Sequence, residues 1–187
     1  PCQSSAASDV YKRQNIIKPS KIDNGSLPVM VWFHGGGYNF GNGDGLYITD
    51  RFAKRDVILV TMNYLLGPFG FFAHPLLSET SKMGVSGNYG TLDQIQALKW
   101  VQTNIHIFGG DPDNVTIFGE SAGGASVETL VSTKLAKDLF HKAIAQSGYT
   151  VGRARNIREQ RGDLISAESL GEKFFRSISG IETPSIE

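Results

Sequence analysis

The chain has 187 residues, of which 40% are hydrophobic, and this length suits one domain with a sizeable core. Its formal net charge is zero, which excludes the basic surface typical of nucleic-acid binding and excludes an acidic tail. The 22 glycines cluster rather than repeat, so collagen-like and low-complexity chains are excluded as well. The single cysteine, Cys2, cannot form an internal disulfide, and no apolar run approaches the roughly 18 residues of a membrane helix.

The start of the chain, PCQSSAASDVYKRQ, differs in character from the remaining residues. It is polar and serine-rich, shows no hydrophobic period and includes no initiator methionine. We interpret residues 1–14 as a non-native linker, with a native disordered tail as the alternative. The predicted domain therefore comprises residues 15–187, and the cellular compartment stays undetermined.

Two buried strands are predicted in the first part of that domain. LPVMVWF (Leu27–Phe33) and DVILVTMNY (Asp56–Tyr64) are short apolar runs with β-branched and aromatic residues. A short helix is expected between them, over Tyr47–Lys54. The Gly-Pro-Phe-Gly segment Gly67–Gly70 is expected to form a loop.

The clearest predicted helix is Thr91–Ile105, where Leu92, Ile95, Leu98 and Val101 recur at three-residue spacing. The remaining predicted elements are a turn over Gly109–Asn114, a strand over Val115–Phe118, a helix over Ser121–Ser132, a strand over Lys142–Gln146, a polar stretch over Gly152–Asp163 and a helix over Leu164–Ile178. Strands that alternate with helices predict an α/β fold with a mostly parallel sheet flanked by helices.

A serine lies between small residues where a predicted strand meets a predicted helix. Gly119-Glu120-Ser121-Ala122-Gly123 fits the pattern G-x-S-x-G in the context that this motif requires. A serine raised above a sheet needs a very sharp turn, and side chains two residues to either side would collide there. The alternative is an ordinary Gly-Ser loop, since this pattern also arises by chance. The motif makes Ser121 a candidate nucleophile.

A run of glycines, His34-Gly35-Gly36-Gly37, directly follows the Leu27–Phe33 strand. Acyl transfer generates an oxyanion that needs backbone N–H donors fixed in space, and consecutive glycines let a backbone approach a substrate closely. A phosphate-binding loop is the rival interpretation. It fails because the segment has neither the Lys-Ser/Thr of a Walker motif nor the spacing G-x-G-x-x-G. A structural glycine turn remains as an alternative, but the two motifs together favour a hydrolase.

Between Asn15 and Tyr149 the chain resembles the type-B carboxylesterases, and most closely their bacterial para-nitrobenzyl-type members. The resemblance lies in PVMVWFHGGGYNFG, VTMNYLLGPFGFFAHP, GVSGNYGTLDQIQALKWVQTNI, FGGDPDNVTIFGESAGG and KAIAQSG. It implies an α/β-hydrolase fold and hydrolysis of small-molecule carboxylic esters without a metal or an organic cofactor. It also implies that Ser121 is the nucleophile and that the N–H groups of Gly36, Gly37 and Ala122 form the oxyanion hole.

Family members pair the serine with a glutamate and a histidine far downstream, and this chain offers only His141 after Ser121. We expect His141, at the entrance of a strand, to lie at the opposite end of the sheet and to be structural. His34 is expected to support the glycine loop, and His74 and His106 to lie in loops or on the surface. The chain is therefore predicted to be the N-terminal part of a family domain that lacks the acid and the histidine, and to be inactive alone. A non-catalytic, cholinesterase-like adhesion or binding module is the alternative.

The sequence departs from the family's motif at Asn63-Tyr64-Leu65, where relatives have arginine in place of leucine. That arginine pairs with an acidic residue such as Asp93 in relatives. Its loss predicts either a buried Asp93 short of a partner or an Asp93 that is solvated and caps a helix. Tyr38 and Phe40 are expected to line one side of a substrate pocket, and the oligomeric state is left undetermined.

Overall fold

The computed structural model describes residues 13–22, 26–148 and 154–181. The strands are β1 (Gln14–Ile17), β2 (Leu27–Phe33), β3 (Ile58–Met62), β4 (Gly110–Glu120) and β5 (Lys142–Gln146). The helices are α1 (Gly67–Phe71), α2 (Pro75–Thr80), α3 (Tyr89–Asn104), α4 (Ala122–Ser132) and α5 (Ala167–Ser179). Short 3-10 turns lie at Gly45–Tyr47, Ala53–Arg55, Ile105–Phe108 and Lys134–Ala136.

The five strands form one sheet in the order β1-β3-β2-β4-β5. Strands β3, β2, β4 and β5 run parallel to one another, and β1 pairs antiparallel with β3. The prediction of a mostly parallel sheet flanked by helices is confirmed. Register matters for the site, since Phe33 at the end of β2 lies opposite Gly119 in β4. The segments that follow these two strands therefore emerge side by side at the carboxyl edge of the sheet.

Alternation along the strands divides the core between the two faces of the sheet. Val29, Val31 and Phe33 of β2 belong to the larger cluster, which includes buried apolar residues of α3 and α4. Trp32, which lies between them in sequence, belongs to a smaller cluster on the other face with Leu59 and Phe118. Burial of apolar side chains on both faces explains why these strands are nearly continuous hydrophobic runs.

The predicted strands and long helices are largely confirmed, with β2 and β5 at the expected bounds. The predicted helix over Tyr47–Lys54 is wrong, because that segment holds parts of two 3-10 turns and no α-helix. The predicted loop at Gly67–Gly70 begins α1 instead, since a proline is well tolerated in the first turn of a helix. The predicted turn at 109–114 is mostly part of β4, which begins at Gly110 and is longer than expected.

Strand β1 begins at Gln14, a residue predicted to belong to a linker outside the domain. Gln14 pairs with Met62 of β3, and the backbone carbonyl of Arg13 accepts a hydrogen bond from the N–H of Asn63. Residues 1–12 lie outside the described part of the chain. Among the described residues, no helix combines the length and the apolar character needed to cross a membrane.

Candidate active site

The turn between β4 and α4 places Ser121 in a strained backbone conformation. Its φ is 56° and its ψ is −119°, a region that residues with a side chain rarely occupy. The N–H of Ser121 donates to the carbonyl of Gln146 at 2.9 Å, and its carbonyl accepts from Ala125 at 2.9 Å. These bonds hold the strained residue between β5 and the first turn of α4. The predicted sharp turn is confirmed.

The glycines that flank the turn are required by close packing. A Cβ on Gly123 would lie 1.9 Å from the carbonyl oxygen of Phe33, and a Cβ on Gly119 would lie 2.5 Å from the backbone of Gly123. Neither distance is sterically allowed. The predicted collision is confirmed, although a side chain at either glycine would meet backbone atoms and not a second side chain. Helix α4 therefore lies directly against the end of β2.

The glycine loop lies beside the turn, as the register of β2 and β4 requires. A Cβ on Gly35 would approach the Cβ of Ser121 to 3.3 Å and the carbonyl oxygen of Glu120 to 2.9 Å. Gly36 and Gly37 both have positive φ, at 110° and 62°. The carbonyl of Gly36 accepts hydrogen bonds from the N–H groups of Asn39 and Phe40, which close the loop into a tight turn. A segment without side chains therefore faces the candidate nucleophile.

His34 supports this loop from beneath. Its side chain is buried, stacks on Tyr64 with ring centroids 4.4 Å apart and places Nδ1 2.8 Å from the carbonyl oxygen of Gly35. A carbonyl only accepts, so Nδ1 carries the proton. The hydroxyl of Tyr64 donates to the carbonyl of His34 at 2.7 Å. Burial lowers the pKa of the His34 imidazole and raises the pKa of the Tyr64 hydroxyl, so both groups are neutral near pH 7.

A cleft of about 920 Å³ opens next to these elements. Gly37, Tyr38 and Ala122 are among the residues that line it, whereas Ser121 and Gly36, their neighbours in sequence, are not. Much of the remaining lining is apolar and includes Phe71, Phe72, Leu170 and Phe174. The expectation that Phe40 lines the pocket is wrong, because this side chain is 71% exposed and lies outside the cleft.

The remaining histidines lie away from Ser121. Val115, at the start of the buried part of β4, donates its N–H to His141 Nδ1 at 3.2 Å and accepts from the N–H of His141 at 2.8 Å. Ser121 lies at the far end of the same strand, about 20 Å away at the usual rise per residue. His141 is at the opposite end of the sheet, as predicted. His106 is exposed, as expected.

His74 lies in a loop, as expected, but not on the surface. His74 is buried, and it precedes α2, where its Nδ1 accepts the N–H of Leu76. Asp93 is half-buried inside α3, and it accepts the N–H of Leu65 at 3.2 Å. Neither expectation for Asp93 holds, since it has a backbone partner and lies beyond the first turn of its helix.

One contact near the site had no signal in the sequence. Tyr38 has a positive φ of 62°, unusual for a residue with a side chain, and its hydroxyl lies 3.1 Å from Ser126 Oγ on α4. These residues are 88 positions apart in sequence, and no motif relates the two. Only the packing of the glycine loop against α4 brings them together.

Comparisons with known proteins agree with this geometry. The model of the carboxylesterase family matches residues 13–171. Fumonisin B1 esterase from Sphingopyxis macrogoltabida is 49% identical over 168 residues, which are 89% of this chain and 30% of the relative. Para-nitrobenzyl esterase from Bacillus subtilis (strain 168) is 53% identical over 158 residues, or 83% of this chain and 30% of the relative.

Solved structures show the same relationship. A thermophilic PNB esterase superimposes with a TM-score of 0.74 at 45% identity, over 88% of this chain and 32% of the other. A further PNB esterase gives a TM-score of 0.75 at 44% identity, over 91% of this chain and 34% of the other. The resemblance inferred from the sequence and the α/β-hydrolase fold are thereby confirmed. The chain spans about 30% of the length of these curated relatives.

Proposed function

Since the chain belongs to the carboxylesterase family, we propose that the protein hydrolyses carboxylic esters through an acyl-enzyme on Ser121. The observation that carries the proposal is the strained turn at Ser121 together with the glycine loop packed against it. Strain of this kind costs on the order of 1–3 kcal/mol, and it persists only where the surrounding structure enforces it. A functional nucleophile is the physical reason to retain it.

The proposed reaction has two steps. The Oγ of Ser121 attacks the ester carbonyl carbon while a histidine accepts the hydroxyl proton, and the carbonyl oxygen becomes an oxyanion. Collapse of this intermediate breaks the bond to the alcohol oxygen, which leaves with that proton. Water then attacks the acyl-serine in the same manner and releases the carboxylic acid. The reaction is a hydrolysis, so no electrons are gained or lost overall.

We assign the oxyanion hole to the N–H groups of Gly36, Gly37 and Ala122. Ala122 is the first residue of α4, so its N–H has no acceptor within the helix and lies at the positive end of the helix dipole. The positive φ angles of the two glycines turn the backbone of the loop away from the strand direction of β2. Removal of one such donor typically lowers kcat by about a hundredfold to a thousandfold.

The general base and the acid are proposed to come from parts of the protein outside these 187 residues. His34 and His141 lie at opposite ends of the sheet, and each forms a hydrogen bond with a residue other than Ser121. His34 bonds to Gly35, and His141 bonds to Val115. Glu120 precedes the nucleophile and is exposed, and we assign it an electrostatic or structural role. Residues 15–187 are accordingly proposed to be the N-terminal part of one α/β-hydrolase domain, which is inactive without the remainder.

The substrate is proposed to be a small ester with an apolar acyl or alcohol group. The aromatic walls of the cleft favour such a group, and the cleft lies in the size range of small-molecule sites. The names of both curated relatives describe esterases, which is consistent with an ester as the substrate. Uncharged substrates suit a cleft whose walls include few ionisable side chains.

The test uses the complete protein, an alkyl fluorophosphonate and a chromogenic short-chain ester. We expect stoichiometric labelling that peptide mass spectrometry locates at Ser121, and turnover that Ser121→Ala abolishes. A protein that binds esters but shows neither labelling nor turnover would favour the non-catalytic module. Residues 1–187 alone are expected to be inactive; turnover by this piece that Ser121→Ala removes would contradict the assignment of the base to the missing part.

A further inference from the structure

A largely buried set of hydrogen bonds connects helices α3 and α4 to the glycine loop. The amide Nε2 of Gln94 on α3 donates to Ser126 Oγ on α4 at 2.9 Å. Ser126 Oγ also lies 3.1 Å from the hydroxyl oxygen of Tyr38 and 3.0 Å from the carbonyl oxygen of Ala122. Gln94 and Ser126 are 0% and 1% exposed, so the bond between them is shielded from competing water, whereas Tyr38 is half-buried at the edge of the cleft. We call this set the Tyr38–Ser126–Gln94 network.

Ser126 uses its whole hydrogen-bonding capacity in this network. A hydroxyl has one proton and two lone pairs, and Ser126 has three polar neighbours at bonding distance. A buried polar group that loses one partner costs about 1–3 kcal/mol, so the arrangement is specific and resists rearrangement. The three neighbours therefore determine the orientation of the Ser126 hydroxyl.

The network joins the two elements that carry the proposed oxyanion donors. Gly36 and Gly37 directly precede Tyr38, whereas Ala122 begins the helix in which Ser126 bonds back to the Ala122 carbonyl. Tyr38 is held at further points, since its carbonyl accepts the N–H of Gly67 at 2.6 Å and its ring lies 4.7 Å from that of Phe71. A positive φ at Tyr38 is tolerated because these contacts enforce it.

We propose that Tyr38, Ser126 and Gln94 are positioning residues that fix the amides of Gly37 and Ala122 relative to each other. This inference rests on the proposed function, because it assigns a role within the same oxyanion hole. Displacement of a catalytic group by about 1 Å can cost a hundredfold in rate. The positioned amides stabilise the charged intermediate more than the neutral ester, so loss of the network is expected to lower kcat much more than it changes KM.

The test compares variants of the complete protein with a matched control on the same helix. Tyr38→Phe and Ser126→Ala each remove one hydroxyl of the network. Ser132→Ala makes the same change at an exposed serine, whose hydroxyl bonds to the Glu128 carbonyl four residues back. The readouts are kcat and KM with a chromogenic ester, and the inhibition constant of a trifluoromethyl ketone, which forms an oxyanion adduct with serine.

We expect Tyr38→Phe and Ser126→Ala each to lower kcat by about tenfold or more with KM within about twofold. Inhibition by the ketone should weaken by the same factor as kcat/KM, because transition-state analogues depend on the same donors. The double variant should be no slower than the slower single variant, since either change breaks the same connection. Ser132→Ala should match the wild-type protein.

Three results would overturn the network's role: unchanged kcat in both variants, a rise in KM alone, or losses that multiply in the double variant. Thermal unfolding of each variant is measured alongside. Should Ser126→Ala fail to fold, Tyr38→Phe decides, because it retains the ring and its packing. A wild-type protein without turnover dependent on Ser121 overturns the proposed function and this inference with it. Normal wild-type turnover with normal variants overturns this inference alone.

Discussion

The two ends of β4 contrast in backbone conformation and in what surrounds them. At the carboxyl end, Ser121 has a strained backbone and Gly123 packs against the carbonyl of Phe33 without room for a methyl group. At the amino end of the part of β4 that pairs with β5, Val115 and His141 exchange ordinary hydrogen bonds. In parallel sheets, ligands bind beyond the carboxyl ends of the strands. The comparison shows that the same type of residue has different chemical roles at the two ends of a parallel strand, because its surroundings differ.

The largest expected effect comes from filling the space at the carboxyl end. Gly123→Ala places a methyl carbon where the Phe33 carbonyl lies 1.9 Å away, so α4 must move away from β2. We expect a loss of about 3 kcal/mol or more in the free energy of unfolding, together with loss of turnover. Urea unfolding of the complete protein measures the first quantity.

A matched control for that change is Gly45→Ala. Gly45 has a φ of 60° but no atom within 4 Å of the added methyl, so only backbone strain of about 1 kcal/mol is expected. Equal losses for the two variants would contradict a special steric requirement at the carboxyl end of the sheet.

A gain in stability is expected when strain at the nucleophile is relieved. Ser121→Gly suits a φ of 56° and a ψ of −119°, whereas Ser121→Ala removes the hydroxyl and retains the strain. After allowance for the entropy of glycine in the unfolded chain, we expect Ser121→Gly to exceed Ser121→Ala by about 1 kcal/mol in unfolding free energy. Both variants should lack turnover. An alanine variant as stable as the glycine variant would show that the turn is not strained.

The parts of the fold that depend on local pattern were predictable. β2 and β5 lie at their expected bounds, because apolar runs between breakers determine buried strands. The motif around Ser121 also predicted the sharp turn, because glycines two residues to either side remove the side chains that would collide there. The short 3-10 turns around Ala53–Arg55 depend on tertiary packing and carry no period that distinguishes them from a helix.

Contacts between distant segments were not predictable from a single sequence. The pairing of Gln14 with Met62 needs the sheet edge to exist first, and polar residues give no strand signal. Burial of His74 depends on the fold around α2, where Ser86 donates its hydroxyl to the His74 carbonyl. The Tyr38–Ser126 contact likewise joins residues that no local pattern relates. For the candidate site, residue types were predictable and their mutual support was not.

A smaller effect is expected from His34, the buried histidine near the carboxyl end of β2, when stability is measured as a function of pH. Burial lowers the pKa of His34 in the folded protein, while the unfolded chain titrates near 6.5. As the pH falls through about 6.5, the unfolded state binds the proton first, so the stability associated with neutral His34 is present above that pH and lost below it. The slope is at most about 1.4 kcal/mol per pH unit for one group.

His34→Asn tests this expectation, since its amide can still donate to Gly35 but does not titrate. Unfolding free energies are measured between about pH 7.5 and pH 5.5, where the wild-type protein should lose stability more steeply than the variant. Carboxylates contribute to both proteins alike, so the difference between the two slopes isolates His34. Parallel curves would mean that His34 becomes protonated as easily in the folded protein as in the unfolded chain.

The smallest expected effect on turnover belongs to the histidine at the amino end. His141→Ala removes the acceptor for the N–H of Val115, so the free energy of unfolding should fall by about 1 kcal/mol. His141→Asn retains an acceptor and should recover part of that loss. In the complete protein, kcat/KM of both variants should stay within about twofold of the wild-type value, because Ser121 lies about 20 Å away along the chain of β4. A folded His141→Ala protein without turnover would make His141 a catalytic base, and the functional contrast between the two ends of β4 would fail.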